Sequence, residues 1–416
     1  MKVAFITEYF PPFTVGGGEW STYYLARNLK KIGVEVVIIT PDLGSRKFDN
    51  PKDVNIRKIP FYLKPKSFKT LPGNFAYSNP LWIIWAAFFY YQTLKKENVD
   101  IIHVQGKYSI PPVIFANLLL QKPLVATIRD YIAICNYGIC LMSGEKACNL
   151  IEYFLDDFMK YYAIYVKNKN PKSFILNLMY AIWGRLTKNM LKISLNRINS
   201  ITTMSIKQKE ILEKNNIRKS ITVIRNSFEF EKSPKKVSKH QNIALFVGRL
   251  TYGKGVNLIL ESIPKVQKVY PKLKFLFVGS GPLENEITRT GRINKKVIFI
   301  GRIAHQELSK IYKKSALVLV PSIWPEPFAR VVVESLSNIT PVVVTRSGGL
   351  PEVIEDGRWG YVSEKNVDDL AASIIKTIDN NSKLRANIAS DFKKICEEFS
   401  SSVALKHLKL YKQISE

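Results

Sequence analysis

Two glutamates, Glu326 and Glu334, stand eight residues apart in the run Glu326-Pro327-Phe328-Ala329-Arg330-Val331-Val332-Val333-Glu334. The run follows an apolar stretch, Leu317 to Val320, and opens a helical pattern. The free N–H groups and dipole of a helix N-terminus attract phosphate. Glu326, in the loop, is free to accept hydrogen bonds from sugar hydroxyls, and Glu334, two turns on, can reach a ribose. A second group, Gly248-Arg249-Leu250 with Lys254-Gly255, sits directly after the apolar run Ile243 to Val247. Arg249 as a planar fork and Lys254 as a point charge suit a diphosphate leaving group. A third group, Gly16-Gly17-Gly18, lets backbone approach phosphate or sugar closely, although it is not a G-x-G-x-x-G fingerprint. Taken singly, the three groups also suit a surface glutamate and a helix glutamate, a solvated basic loop and a tight turn.

The elements that must position these residues read as alternating strands and helices. Lys2 to Thr7 is a continuous apolar run, as a strand buried on both faces requires. A glycine-rich loop, an amphipathic stretch from Glu19 to Lys31 and a second run from Val34 to Thr40 follow. Further strands are expected at Ile101–Val104, Leu124–Thr127, Ile201–Met204 and Thr222–Ile224. A second series runs through Ile243–Val247, Phe275–Val278, Val297–Ile300, Leu317–Val320 and Val342–Val344. Two such series predict two doubly wound parallel α/β domains. The expected organisation is a first domain over residues 1–226 and a polar, proline-containing linker over 227–240. A second domain covers 241–401, and a helix at 402–416 has a return to the first domain open to it. A helical basic insertion interrupts the first domain at about 141–197.

The length of 416 residues agrees with two domains. Against 34 acidic residues stand 62 basic ones, and a net charge of +28 calls for an anionic partner. From Phe158 to Lys209 there are ten Lys or Arg and no Asp or Glu. Ile175, Leu178, Met179, Ile182, Leu186 and Met190 recur there at helical spacing. Lys160, Lys167, Lys172, Arg185, Lys188 and Lys192 beside that apolar face suit an anionic membrane leaflet. The longest apolar stretch, Leu81 to Tyr91, is too short to span a bilayer. Its aromatics, among them Trp82, Trp85 and Phe88, are expected in a buried helix. Met1 to Thr7 lacks the features of a signal peptide. Four cysteines are too few for a disulfide framework, so a cytoplasmic protein, peripheral on the inner membrane face, is expected. Cys135, Cys140 and Cys148 match no zinc template, and no metal ligand or cofactor is expected. No nucleic-acid motif accompanies the charge. His103 reads as a hydrogen-bonded core histidine.

Together the motifs resemble the retaining glycosyltransferases of family 4, which have the GT-B fold. The resemblance rests on Gly16-Gly17, Val223-Ile224-Arg225-Asn226, Val247-Gly248-Arg249-Leu250 with Lys254-Gly255, and Val278-Gly279-Ser280-Gly281-Pro282. It continues through Ile300-Gly301, Pro321-Ser322, the two glutamates, Pro341-Val342-Val343 and Gly348-Gly349-Leu350-Pro351-Glu352. It implies two Rossmann-like domains facing across a cleft and transfer of a sugar from a nucleotide diphosphate donor to a glycan or lipid-linked acceptor. By the resemblance Arg249 and Lys254 bind the diphosphate, Glu326 the sugar and Glu334 the ribose. Gly16 and Gly17 close from the first domain, while Gly248, Gly279, Phe328 and Ala329 complete the donor site.

Three positions depart from the family pattern. Arg129-Asp130 stands where the family has His-Asp near the reaction centre. Arginine stays protonated, with a pKa above about 12, and so cannot serve as a base, but it can donate to a hydroxyl or phosphate. Ala329 and Ile339 replace glycines, and alanine is tolerable only at negative φ. A catalytically impaired GT-B protein that binds glycans or lipids, or a sugar-nucleotide epimerase of similar fold, is the alternative. The chain contains no Asp-x-Asp.

Overall fold

A computed structural model describes residues 1–14, 16–44, 51–64, 71–137, 141, 144–166, 170–230 and 242–416. Two all-parallel sheets organise them. The first has β1 (Lys2–Ile6), β2 (Glu35–Pro41), β3 (Asn55–Ile59), β4 (Ile101–Val104), β5 (Leu124–Thr127), β6 (Ser200–Thr203) and β7 (Ile221–Val223). Their order is β3-β2-β1-β4-β5-β6-β7. The second has β8 (Ile243–Arg249), β9 (Lys274–Ser280), β10 (Val297–Gly301), β11 (Leu317–Val320), β12 (Val342–Thr345) and β13 (Gly360–Ser363). Their order is β10-β9-β8-β11-β12-β13. These are two Rossmann-like α/β domains, each sheet covered by helices on both faces.

Strand geometry sorts the apolar runs to two faces with a period of two. Ala4, Ile6, Val37 and Ile39 join the core on one side of the first sheet, and Val3, Phe5, Val36 and Ile38 join that on the other. In the second sheet Leu245 faces one core while Ala244 and Phe246 face the opposite one. Two strands lie outside the sequence expectation. The edge strand β3, Asn-Ile-Arg-Lys-Ile, has no apolar run because Arg57 and Lys58 face outward. The second, β13, has only four residues and carries a glycine and a serine.

The last helix, Ser401–Ser415, packs on the first sheet although it follows the second domain in sequence. Val403, Ala404, Leu410 and Tyr411 share a core with Val3, Phe5 and Leu25. The contact is also polar. His103, fully buried on β4, lies 2.6 Å through Nδ1 from the Tyr411 hydroxyl and 2.7 Å through Nε2 from Thr127 Oγ1. Its ring sits 5.5 Å from that of His407. Burial holds both imidazoles below the usual histidine range, His407 at about 4.

A histidine kept neutral in the native state is protonated first in the unfolded chain, near pH 6.5. Its contribution is therefore complete above about pH 6.5 and lost as the pH falls towards 4. For His407 alone the loss amounts to about 3 kcal/mol by pH 4. Urea midpoints at pH 7.5, 6 and 5 should fall steadily, and His407→Gln should flatten that dependence. An unchanged slope in the variant would contradict the assignment.

The aromatic stretch departs from the buried helix expected of it. In the helix Pro80–Glu97, Trp82, Ile83 and Tyr90 are buried, while Leu81, Ile84, Trp85 and Phe88 face solvent. Phe115, Leu118 and Leu119 of the helix Ile110–Leu120, which packs against it, are also exposed. That helix in turn contacts Pro171–Leu195, where Ile175, Leu176, Met179, Ile182 and Leu186 are exposed. Lys160 and Lys172 are exposed, and Arg185 and Lys192 half-buried. Lys188 corrects the expectation of a solvent-facing basic surface. It turns inward, 8% exposed, into a cavity of about 310 Å³ shared with Lys146, Lys192 and Lys214. Lys167 and Cys140 lie outside the described residues.

Candidate active site

The carboxyl ends of the strands in both sheets open on one cavity of about 560 Å³. Parallel sheets bind ligands there because the loops leaving the strands carry free side chains and helix N-termini. From the first domain come Gly16, Gly17 and Gly18 after β1, Gln105 and Lys107 after β4, and Arg129 and Asp130 after β5. From the second come Gly248, Arg249 and Lys254 after β8, and Ser322, Glu326, Phe328, Ala329 and Arg330 after β11.

Glu326 is 5% exposed and accepts from Ser322 Oγ at 2.9 Å. Lys254 forms an ion pair with it, although the two are 72 residues apart in sequence. The backbone at Glu326 is fixed by Gly349, whose N–H donates to the Glu326 carbonyl at 2.6 Å. Gly348 makes that approach possible. Its φ is +58°, and a β-carbon there would lie 2.4 Å from the Glu326 carbonyl oxygen. Arg249 is exposed and has no ion-pair partner among the described residues, so its fork is available to an anion entering the cavity.

Arg129 forms the opposite wall. Its Nη1 donates to the Gln105 carbonyl at 2.9 Å and its Nε to Asn226 Oδ1 at 3.2 Å. Nη2 donates to Gln105 Oε1. Burial lowers its pKa to about 10, which leaves it cationic at neutral pH. Asp130 is paired with Lys107.

Other candidates sit elsewhere. Glu334 is not among the cavity-lining residues. It accepts from Arg330 at 3.2 and 3.3 Å and from the Tyr312 hydroxyl at 2.9 Å. Gly279 is paired in register with Gly248 on the neighbouring strand, and a β-carbon on it would lie 1.8 Å from the Gly248 carbonyl oxygen. Ala329 has φ −103°, the negative value that alanine needs. Ile339 adopts φ +54° in a buried turn, a costly conformation for a β-branched residue, held by Arg385 donating to its carbonyl at 3.0 Å.

Several lining residues escape a reading of the sequence. Glu8 is buried, accepts the Ser109 N–H at 2.5 Å, and has its carboxyl pushed above the ordinary range by burial. Like Gln105 and Lys107, it stands just past an apolar strand run, and that position was the available signal. Arg330 joins the two domains. Its Nη1 donates to Ser21 Oγ at 3.0 Å, and its guanidinium lies 4.4 Å from the Phe228 ring centroid. A β-carbon at Gly17 would collide with Arg330 Cδ at 2.1 Å. Glu352 makes a second bridge, accepting the N–H groups of Ile206 and Lys207 at 2.8 Å each.

Two Rossmann-like domains with a site between the carboxyl ends of their sheets define the GT-B class. The model described as Glycosyltransferase Family 4 matches residues 15–232, and that for Glycosyl transferases group 1 matches residues 227–394. The chain belongs to this family of glycosyltransferases. It is 28% identical to an uncharacterized glycosyltransferase of Methanocaldococcus jannaschii, over 99% of this chain and 98% of that protein. It is 22% identical to the GPI3 subunit of the phosphatidylinositol N-acetylglucosaminyltransferase of Saccharomyces cerevisiae, over 91% of this chain and 75% of that protein. Among solved structures, HepE of Anabaena in complex with UDP and glucose superposes with a TM-score of 0.64 at 18% identity, over 99% of this chain and 100% of the other.

Proposed function

We propose that this glycosyltransferase moves a hexose-type sugar from a nucleoside diphosphate donor to a glycan or lipid-linked acceptor, with retention of anomeric configuration. The observation that carries the reading is the convergence of Arg249, Lys254 and Glu326 on one cavity wall, with Gly16 and Gly17 opposite. When the bond from the anomeric carbon to the diphosphate breaks, negative charge grows on the departing phosphate oxygen. Arg249 and Lys254 supply positive charge where it grows. Glu326 accepts from sugar hydroxyls once Lys254 turns to the diphosphate. Gly248, Phe328 and Ala329 shape the donor side, and Arg129 donates to a hydroxyl or phosphate beside the reaction centre. Retention rests on the family resemblance. The donor class draws on the UDP and glucose held by HepE.

A panel of nucleotide sugars tests the proposal. Turnover of at least one donor, with release of nucleoside diphosphate, is expected. Binding without turnover would instead favour the catalytically impaired module, the reading that Arg129 in place of histidine favours.

The acceptor side points to a lipid. Helices Pro80–Glu97, Ile110–Leu120 and Pro171–Leu195 expose apolar side chains on neighbouring elements of the first domain. No helix of the described residues is long and apolar enough to cross a membrane. Interfacial seating on the inner, anionic leaflet suits such a surface, each basic residue near the leaflet adding about 1 kcal/mol. The relative that acts on phosphatidylinositol is consistent with this. Co-sedimentation with anionic vesicles should be strong at low salt and weaken steeply as salt rises. Glutamate in place of Lys160, Lys167, Lys172 and Lys192 should abolish it. A chain that stays in the supernatant with anionic and neutral vesicles alike would favour a soluble acceptor.

A further inference from the structure

We propose that Cys135, Cys148 and Asp157 form a buried binding site for one thiophilic divalent cation of the zinc class, apart from the catalytic cleft. Their ligand atoms, two thiol sulfurs and a carboxylate oxygen, all lie within 4.8 Å of one another. All three residues are interior, at 2%, 9% and 1% exposure. None of them lines the cavity between the domains. Cys135 Sγ donates to Asp157 Oδ2 at 2.6 Å, and Cys148 Sγ lies 3.6 Å from the same oxygen.

The three ligands come from separate stretches. Cys135 belongs to the irregular segment after β5, and Cys148 precedes the short helical turn Leu150–Glu152. Asp157 lies in the π-helical turn Tyr153–Phe158. Such turns are rare and concentrate at functional sites, since the extra residue re-aims a side chain. Two thiolates and one carboxylate are a zinc-type donor set, with bonds of about 2.3 Å to sulfur and about 2.0–2.2 Å to oxygen. Tetrahedral bonds of that length separate the ligand atoms by about 3.5–3.8 Å. The two sulfur-to-oxygen distances reach that spacing if Cys135 and Asp157 part by about 1 Å. The described residues supply three of four tetrahedral positions.

The charges around the cluster suit an occupied site. Binding of a dication by two thiols and a carboxylate releases two protons and leaves one net negative charge. One buried and one half-buried cation lie in the same region. Lys188 lies within electrostatic range of both sulfurs. Arg185, stacked 5.1 Å from the Tyr153 ring centroid, has a buried Nη1 with no hydrogen-bond partner among the described residues. The cation would also fasten the cleft wall, because Ile132 and Ala133 line the cavity and Cys135 donates its N–H to the Tyr131 carbonyl at 2.8 Å. Through Cys148 and Asp157 that wall is tied to the inserted helices.

The test uses the reduced full-length chain, stripped with chelator and reloaded with zinc or cobalt(II). About one cation per chain by elemental analysis is expected, and cobalt should give a thiolate-to-metal charge-transfer band. Reloading should raise the Tm of the wild-type chain by several degrees, a readout that needs no variant. Cys135→Ser, Cys148→Ser and Asp157→Asn should each weaken cobalt affinity at least tenfold. No binding at excess cation would overturn the proposal. So would a Cys135–Cys148 disulfide in peptide maps of the chain as purified, or a thiolate band that survives the double serine variant. None of these readouts involves a sugar donor, so failure of the glycosyl-transfer assignment leaves them interpretable.

Discussion

Lys254→Ala should lower kcat by about 10²–10³ at saturating donor, the loss expected when one preorganised group stabilising a developing anion is removed. The argument rests on place and charge. Lys254 lies in the loop after β8, in the cleft and beside Glu326, with Arg249 at the end of the same strand. A basic loop residue is expected to leave folding almost untouched, but the ion pair changes that. Removing Lys254 strands a carboxylate that is 5% exposed and keeps one hydroxyl partner, Ser322. Breaking a buried pair from one side costs about 3–5 kcal/mol, and the partly exposed Lys254 places this case at or below the low end. The variant should therefore lose both turnover and several degrees of Tm. Glu326→Gln in the Lys254→Ala background should return most of the Tm and none of the rate. Turnover of Lys254→Ala equal to wild type would remove Lys254 from the mechanism.

What the sequence reveals of this molecule follows from how each feature is encoded. Interior parallel strands are near-continuous apolar runs, so β1, β2, β4 and β8 stand out. The edge strand β3 has no such run, and β13 is too short to make one. Arg249, Lys254 and Glu326 are legible because the functional end of a parallel sheet is the loop directly after a strand. Their pairing is not, since it depends on how β8 and β11 lie side by side. The bridges from Arg330 to Ser21 and from Glu352 to Ile206 and Lys207 join residues more than a hundred positions apart. Lys188 misleads for a related reason. Helical spacing marks which residues share a face, but nothing in it announces that Ala133, Ile134, Lys146 and Ala147 share a cavity with Lys188. The contact of Cys135 and Cys148 with Asp157 is likewise not legible in their spacing, since Asp157 lies in a separate π-helical turn.

Glu326→Ala should change which donor sugar is preferred, whereas Glu334→Ala should slow every donor by a similar factor. Glu326 lies within the cavity, where the hydroxyl pattern of the transferred sugar differs from donor to donor. A hydrogen bond to a charged acceptor is worth about 1.5–3 kcal/mol, or roughly 10- to 150-fold in kcat/KM between sugars that make it and sugars that do not. Truncating the acceptor should collapse that ratio towards one. Glu334 is reached by no such variable group. It holds Arg330 at 3.2 Å and the buried Tyr312 hydroxyl at 2.9 Å, and Arg330 in turn reaches Ser21 across the cleft. Losing Glu334 loosens a bridge that every donor needs, and a ribose contact, if it forms, is common to them all. The measurement is kcat/KM for four or more nucleotide sugars with wild type and both variants. Equal losses across all donors in both variants would place Glu326 with Glu334 among the positioning residues and leave sugar selection to other groups in the cleft.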